Sequence, residues 1–170
     1  MTFSKPLKFD PIDEARRQWV ARGWPEAASG MAVVTSVFRA QRIYLSRIDE
    51  VLRPYDLSFS RLELLTLLSF TSTGSMPMSK MGVRLQVHPT SVTSTVDRLV
   101  TQGFVRRLAH RTDRRTTLAE IRPAGRRIVK RAIAALNEQV FSDPGMPPSD
   151  AEKLFAILRA LRVAEQDFEF

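Results

Sequence analysis

The side chains with the clearest chemistry in this chain are hydroxyls and arginines, and they concentrate between residues 88 and 131. Residues 88–102 read HPTSVTSTVDRLVTQ. Pro89 suits the first turn of a helix, where its missing N–H costs nothing, and Gly103 suits the left-handed position after a helix. His88 then takes the N-cap position, although histidine is not a favoured residue there. The stretch therefore predicts one helix.

The predicted helix has two chemically different faces. One face is apolar and contains Val92, Val96, Leu99 and Val100. The opposite face is small and hydroxylated, and Arg98 is its long cation. Serine and threonine can hydrogen-bond to base edges and phosphates, and arginine can form a bidentate pair with guanine. An ordinary amphipathic surface helix would show the same pattern, so the helix alone does not decide between the two interpretations.

The segment after this helix predicts a two-stranded wing, residues 104–121. Residues 104–109 and 117–121 contain β-branched or aromatic side chains in loose alternation, which is typical of short strands. The tip between them reads HRTDRRT. Asp113 can brace the tip by accepting hydrogen bonds from nearby N–H groups, which would leave the arginines pointing towards phosphates or a narrow minor groove. A solvated surface loop is the alternative.

The charge distribution argues against a merely solvated loop. Residues 104–131 contain ten Lys or Arg and two acidic residues, a net charge of +8. The other residues carry 16 basic and 16 acidic groups, so the formal net charge of the whole chain, +8, lies in this one segment. A field localised in this way favours a polyanionic partner. A membrane surface is less favoured, because the basic helix after the wing lacks a large aromatic face.

Composition excludes several other classes of protein. The chain of 170 residues is 44% hydrophobic and 26% charged, with no run approaching the about 20 apolar residues of a membrane span. It has no cysteine, its two histidines (His88 and His110) lack metal-ligand spacing, and no two glycines stand two residues apart. We therefore expect no catalytic residues, no metal and no cofactor. The N-terminus shows no signal-peptide pattern, which predicts a cytoplasmic protein.

The remaining elements are predicted to be helices that position this pair. Asp10 is a good N-cap for a first helix that ends near Gly23, and Ser58 or Ser60 caps a buried helix. A capping box at Ser149-Asp150-Ala151-Glu152 predicts the start of the last helix. The predicted helices span residues 10–21, 25–53, 58–70, 79–85, 88–102, 122–140 and 149 onwards, with a single β-bridge at 76–78.

Apolar stripes on the first long helix and the last two helices need a partner, and a second copy of the chain is the simplest one. A two-fold homodimer would place two DNA-reading helices roughly 34–36 Å apart on a pseudo-palindromic site. The predicted units are an arm with a short extra helix (1–25), a dimerisation helix (26–56), a winged helix-turn-helix DNA-binding lobe (57–122) and C-terminal dimerisation helices (123–170).

Two tryptophans stand out on the N-terminal arm, Trp19 and Trp24. We interpret them as anchors of the arm to the core or to a partner chain. The alternative is that one of them lines a ligand pocket.

The residues LQVHPTSVTSTVDRLVTQGFVRR, followed by RTDRRTTLAEIRPAG, resemble the MarR family of bacterial transcriptional regulators. Asp113-Arg114-Arg115 is the more specific part of the match, and the resemblance covers about residues 26–166. His88 departs from the small N-cap usual in the family.

The resemblance implies a mostly α fold with a small β-wing and a homodimer that binds double-stranded DNA as a repressor. It places Pro89, Thr90, Ser91, Thr93, Ser94 and Arg98 in the major groove. It directs Arg111, Arg114 and Arg115 towards the minor groove and backbone. It also implies a small aromatic or carboxylate effector, bound between the dimerisation helices and the DNA-binding lobe. A constitutive or architectural DNA-binding protein and a protein–protein winged-helix module remain alternatives.

Overall fold

The computed structural model describes residues 7–110, 112, 113 and 115–168, and it is mostly helical with one small sheet. This is the predicted fold class. The helices are α1 Pro11–Ala21, α2 Pro25–Leu52, α3 Phe59–Ser69, α4 Met78–Leu85, α5 Pro89–Thr101, α6 Pro123–Leu136 and α7 Pro148–Ala164. The strands are β1 Ser75–Pro77, β2 Val105–Ala109 and β3 Thr117–Ile121. None of the helices in the described part of the chain combines the length and hydrophobicity needed to cross a membrane.

Side-chain caps fix the starts of α1 and α3. The Asp10 carboxylate accepts a hydrogen bond from the Ile12 N–H at 2.8 Å, as predicted. Of the two candidate caps for α3, the structure selects Ser58, whose Oγ accepts from the Arg61 N–H at 3.4 Å. Ser60 lies inside the first turn.

The predicted capping box at residues 149–152 is wrong. Helix α7 begins one residue earlier, at Pro148, with Pro147 as N-cap and no side-chain hydrogen bond to the cap. Because proline has no N–H to satisfy, Pro148 occupies the first helical position readily. Ser149 is thereby drawn into the first turn, where it cannot act as the cap.

The helix predicted over residues 122–140 is not uniformly α-helical. Helix α6 ends at Leu136 and continues as a π-helical turn, Asn137–Phe141. Val140 of this turn is buried, so the wider turn still contributes to the core. The loop that follows is fixed to α2, because the Tyr44 hydroxyl donates to the Pro144 carbonyl at 2.8 Å.

The sheet is antiparallel with strand order β1-β3-β2. Met76 pairs with Ala119, and Val105 pairs with Ile121. The single bridge predicted at 76–78 is therefore a three-residue strand. This strand, β1, pairs with the edge of β3 opposite β2, and it leads directly into α4.

The core lies between α3, α5, α6 and the sheet. Its largest fully buried side chains include Leu52, Leu65, Leu68, Met81, Val96, Leu99 and Leu136. Val92, Val96 and Leu99 of the predicted apolar face are buried, and Val100 of the same face is 39% exposed. Val100 falls at the edge of the stripe centred on Val92, Val96 and Leu99, beyond the reach of the packed elements.

The outer helices leave apolar surface uncovered. Helix α2 exposes Val33, Val34 and Phe38, and helix α7 has no buried residue. Beyond α7 the chain returns to the small helices, where the Gln86 side-chain amide donates to the Asp167 carbonyl at 2.8 Å. Gln86 is the left-handed residue (φ 54°) that ends α4.

Candidate nucleic-acid interface

Helix α5 is fixed at both ends. The Nδ1 atom of His88 accepts a hydrogen bond from the Thr90 N–H at 3.2 Å, so the imidazole does the work of the usual hydroxyl or carboxylate cap. Gly103 follows the helix with φ 72°, as predicted. The Gln102 amide donates to both the carbonyl and the carboxylate of Asp56, at 2.7 and 2.9 Å. The contacts with Asp56 fix the C-terminal end of α5 against the turn that precedes α3.

The outer face of α5 is open to solvent. All six residues predicted to face the major groove are exposed: Pro89, Thr90, Ser91, Thr93, Ser94 and Arg98. The Thr93 hydroxyl donates to the Pro89 carbonyl at 3.1 Å, which leaves its oxygen free to accept. The Arg98 side chain makes no hydrogen bond or ion pair with any other residue in the described ranges. Its guanidinium is therefore available to a partner molecule.

Sequence reasoning missed the contribution of α3 to this face. A polar depression of about 370 Å³ separates the start of α3 from α5, and its lining includes Ser58, Ser60, Arg61, Ser91, Ser94 and Arg98. The Arg61 side chain is only 17% exposed and donates to the Ser58 hydroxyl at 3.3 Å. The Arg61 guanidinium also lies 3.9 Å from the Asp56 carboxylate. The first N–H groups of a helix and an adjacent arginine together suit a phosphate. The capping pattern located this helix start, but no sequence signal placed it beside α5.

The tip of the wing is braced by Asp113, as predicted from its residue type. Its carboxylate accepts from the Arg115 N–H at 2.9 Å and from the Thr116 hydroxyl at 2.6 Å. The hydroxyl bond, more than the backbone bond, lowers the pKa of Asp113, so the brace is ionised at neutral pH. The Arg115 side chain is exposed. Arg111 and Arg114 lie outside the described residues.

The arginines of strand β2 have internal partners. Arg106 forms an ion pair with Glu120 on β3, and Arg107 forms one with Asp97 of α5 at 2.8 Å. The hydrogen bond from Arg106 lowers the pKa of the Glu120 carboxyl, so this cross-strand pair is charged at neutral pH. These two arginines therefore connect the wing to itself and to α5.

The wing meets α6 at a point where only glycine fits. A Cβ on Gly125 would stand 2.4 Å from the Phe104 carbonyl oxygen and 2.9 Å from Ile121. The Arg122 N–H donates to the same Phe104 carbonyl at 2.8 Å. The first turn of α6 thus lies directly against both ends of the wing and fixes its direction relative to α5.

Trp19 and Trp24 contact each other at the turn between α1 and α2. Their ring centroids are 5.6 Å apart at an interplanar angle of 64°, an edge-to-face arrangement. Trp24 is 50% exposed. The arm packs along α2 of its own chain, and a ligand role for either tryptophan stays a prediction.

Metal binding has no candidate site in the described ranges, where no three His, Asp or Glu side chains are grouped closely enough to hold an ion.

The family model for the MarR family matches residues 59–117 of this chain, the segment from α3 to the wing. The structure of Sco5413, a MarR family transcriptional regulator from Streptomyces coelicolor, is 45% identical in sequence. It aligns over 84% of this chain and 99% of that one, with a TM-score of 0.77. The chain belongs to the MarR family.

Other MarR-family proteins match less completely. An HTH-type transcriptional regulator of Mycobacterium bovis, Mb0904, is 35% identical over 48% of this chain and 55% of its own length. The curated relatives are thus matched over about half of their length. A MarR variant from E. coli in complex with operator DNA is 17% identical, with a TM-score of 0.72 over 79% of this chain and 96% of that one. That likeness shows the shared fold.

MarR-family proteins are transcriptional regulators and not enzymes. The exposed face of α5 lies within the segment that the family model matches.

Proposed function

We propose that this MarR-family regulator binds double-stranded DNA as a homodimer on a pseudo-palindromic operator, represses transcription there and is released by a small-molecule effector. One observation carries the proposal: the hydroxyl-and-arginine face of α5 is exposed, without internal partners for Arg98, and stands beside a braced, arginine-rich wing.

Charge and geometry support DNA as the partner. The formal charge of +8 in residues 104–131 would release counterions from a duplex and provide affinity without regard to sequence. Selectivity would come from Ser91, Ser94 and Arg98 at base edges, because these side chains hydrogen-bond to bases in the major groove. Ser58, Ser60 and Arg61 would hold a backbone phosphate beside them. The relative from E. coli was crystallised with operator DNA, which agrees with this assignment.

The uncovered outer helices support a homodimer. On α2, Val33 is 63% exposed and Phe38 is 57% exposed, and on α7 Ile157 is 66% exposed. A second copy would cover these side chains through a two-fold interface. The division into an arm, dimerisation helices and a DNA-binding lobe stays a prediction that depends on this dimer.

The proposed dimer also offers a mechanism for repression and for its relief by a ligand. A dimer that occupies a promoter would exclude the polymerase, and a ligand bound between the outer helices and the DNA-binding lobe would change the spacing of the two α5 helices. Such a ligand can act only through a difference in its affinity for the two states.

The decisive experiment is fluorescence anisotropy with a duplex from the chain's own upstream region, a scrambled duplex beside it, and a series of salt concentrations. We expect tighter binding to the upstream duplex and a steep fall in affinity with salt. Equal binding to both duplexes would favour an architectural role, and no binding to either would favour a protein–protein module. Run-off transcription with and without the protein then tests repression.

A further inference from the structure

An open apolar cavity of about 440 Å³ is lined by side chains of α3, α4, α6 and the π-helical turn. Three phenylalanines, Phe59, Phe70 and Phe141, contribute to its walls, together with aliphatic side chains that include Leu136. Its size falls within the roughly 300–1,000 Å³ of small-molecule sites, which are mostly apolar with a few placed polar groups. The cavity therefore has the form of a ligand site.

Few polar groups line this cavity, and the charged one among them is acidic. Glu63 and Thr66 supply them, and the described residues that line the cavity include no Lys, Arg or His. The Glu63 carboxylate has no hydrogen-bond or ion-pair partner in the described part of the chain. The Glu63 side chain is exposed, and partial desolvation by the apolar groups around it raises the pKa of this carboxyl. The site thus contains an unpaired acceptor and no group that could neutralise an anion.

We infer that this cavity binds an aromatic amine, whose ammonium group pairs with Glu63 while its ring packs among Phe59, Phe70 and Phe141. The inference rests on the effector part of the proposed function and names the ligand class for it. An aromatic carboxylate, one of the two effector classes expected from the sequence, would place a second negative charge against Glu63 with no cation to offset it. The aromatic walls add an attraction for the ammonium group that a carboxylate would not receive.

The preference for a cation runs against the charge of the whole molecule. The formal net charge is +8, so long-range electrostatics would draw an anion to this protein and repel an amine. A measured preference for the amine would therefore report the local environment of Glu63 and not the overall field.

Isothermal titration calorimetry with three matched probes tests the inference: naphthylmethylamine, naphthylmethanol and naphthoate, which share one ring system and differ in charge. We expect the amine to bind up to about fivefold more tightly than naphthoate, the effect of one ion pair at an exposed carboxylate. Glu63→Gln is expected to remove most of this difference, and Glu63→Lys to reverse it. Glu50→Gln, an exposed acid on α2, is the matched control and should leave the preference unchanged.

Three results would overturn the inference: equal or tighter binding of naphthoate, a preference that survives Glu63→Gln, or no binding of any probe, as would follow if a partner subunit filled the cavity. Anisotropy with the upstream duplex in the same samples separates this inference from the proposed function. If the amine binds through Glu63 and the affinity for DNA is unchanged, the cavity assignment stands and the effector part of the proposed function fails.

Discussion

At the scale of single residues, the candidate interface contains two kinds of side chain: some hydrogen-bond or ion-pair within the protein, and others have no partner there and could bind DNA. Asp113 accepts two hydrogen bonds within the wing, and Arg107 is paired with Asp97. Arg98 has no such partner among the described residues. Because its guanidinium has no internal contact to break and its planar fork matches a bidentate acceptor, Arg98 is the side chain from which we expect direct base recognition.

Replacing Arg98 by alanine is expected to cost about 1–3 kcal/mol of binding free energy on the operator duplex and much less on a scrambled duplex. The measurement is anisotropy on both duplexes. Arg98→Lys is the matched control, since it keeps the charge without the bidentate fork, and it should keep the salt dependence while losing sequence preference. Equal losses on both duplexes would make Arg98 a phosphate contact.

Residues on α5 could be assigned from the sequence because helical periodicity alone decides which side chains share a face. Thr90, Ser91 and Ser94 were placed correctly on the exposed side by that argument. Arg61 could not be found in the same way. Its place beside Arg98 depends on how α3 crosses α5, and no local pattern in the sequence fixes that crossing.

At the scale of elements, the junction of the wing with α6 is the most constrained contact in the interface. Gly125→Ala would push a Cβ against the Phe104 carbonyl, a backbone atom that cannot move aside easily. We expect a lower melting temperature and weaker DNA binding, because relieving the clash must shift the wing relative to α5.

Gly30→Ala is the matched control for that substitution. A Cβ at Gly30 meets nothing within 4 Å, and the residue lies inside α2. Alanine there is expected to raise stability by about 0.5–1 kcal/mol through helix propensity. Thermal unfolding of both variants checks the pair. An unchanged melting temperature for Gly125→Ala would mean that the wing can move away from α6 at no cost.

The wing tip gives a separate prediction about salt. Arg115→Ala should weaken binding to all sequences and reduce the slope of log affinity against log salt by about 0.9, the contribution of one phosphate contact. Arg16→Ala on α1 removes the same charge from a helix outside the interface and should leave the slope unchanged. If both variants change the slope equally, the wing contributes only through the net charge.

Element boundaries were predictable where a cap acts locally and uncertain where two candidates compete. Asp10 and Gly103 each mark a helix end by a hydrogen bond or a backbone angle that the residue type itself favours. Near residue 148 the sequence predicts Ser149 as the start, but Pro148 takes the first helical position because it has no N–H to satisfy. The three-residue length of β1 depends on pairing with β3, which is a long-range contact that local sequence does not encode.

At the scale of the whole molecule, α2 and α7 expose apolar side chains that the proposed homodimer would cover. Phe38→Glu is expected to convert a dimer to a monomer in sedimentation-equilibrium experiments, since a carboxylate would be buried in the interface without a partner. Val83→Glu on α4, where the side chain is 76% exposed, is the control and should leave the dimer intact. A monomeric wild-type protein would contradict the dimer directly.

The bond between Gln86 and the Asp167 carbonyl connects the end of the chain to the turn that introduces α5. Linkage makes this connection reciprocal: whatever changes the position of that turn changes the environment of the C-terminal segment, and the reverse holds equally. A fluorophore attached just beyond α7 should therefore act as a reporter of DNA occupancy. By the same reasoning, a bulky C-terminal fusion should alter DNA affinity without touching the DNA.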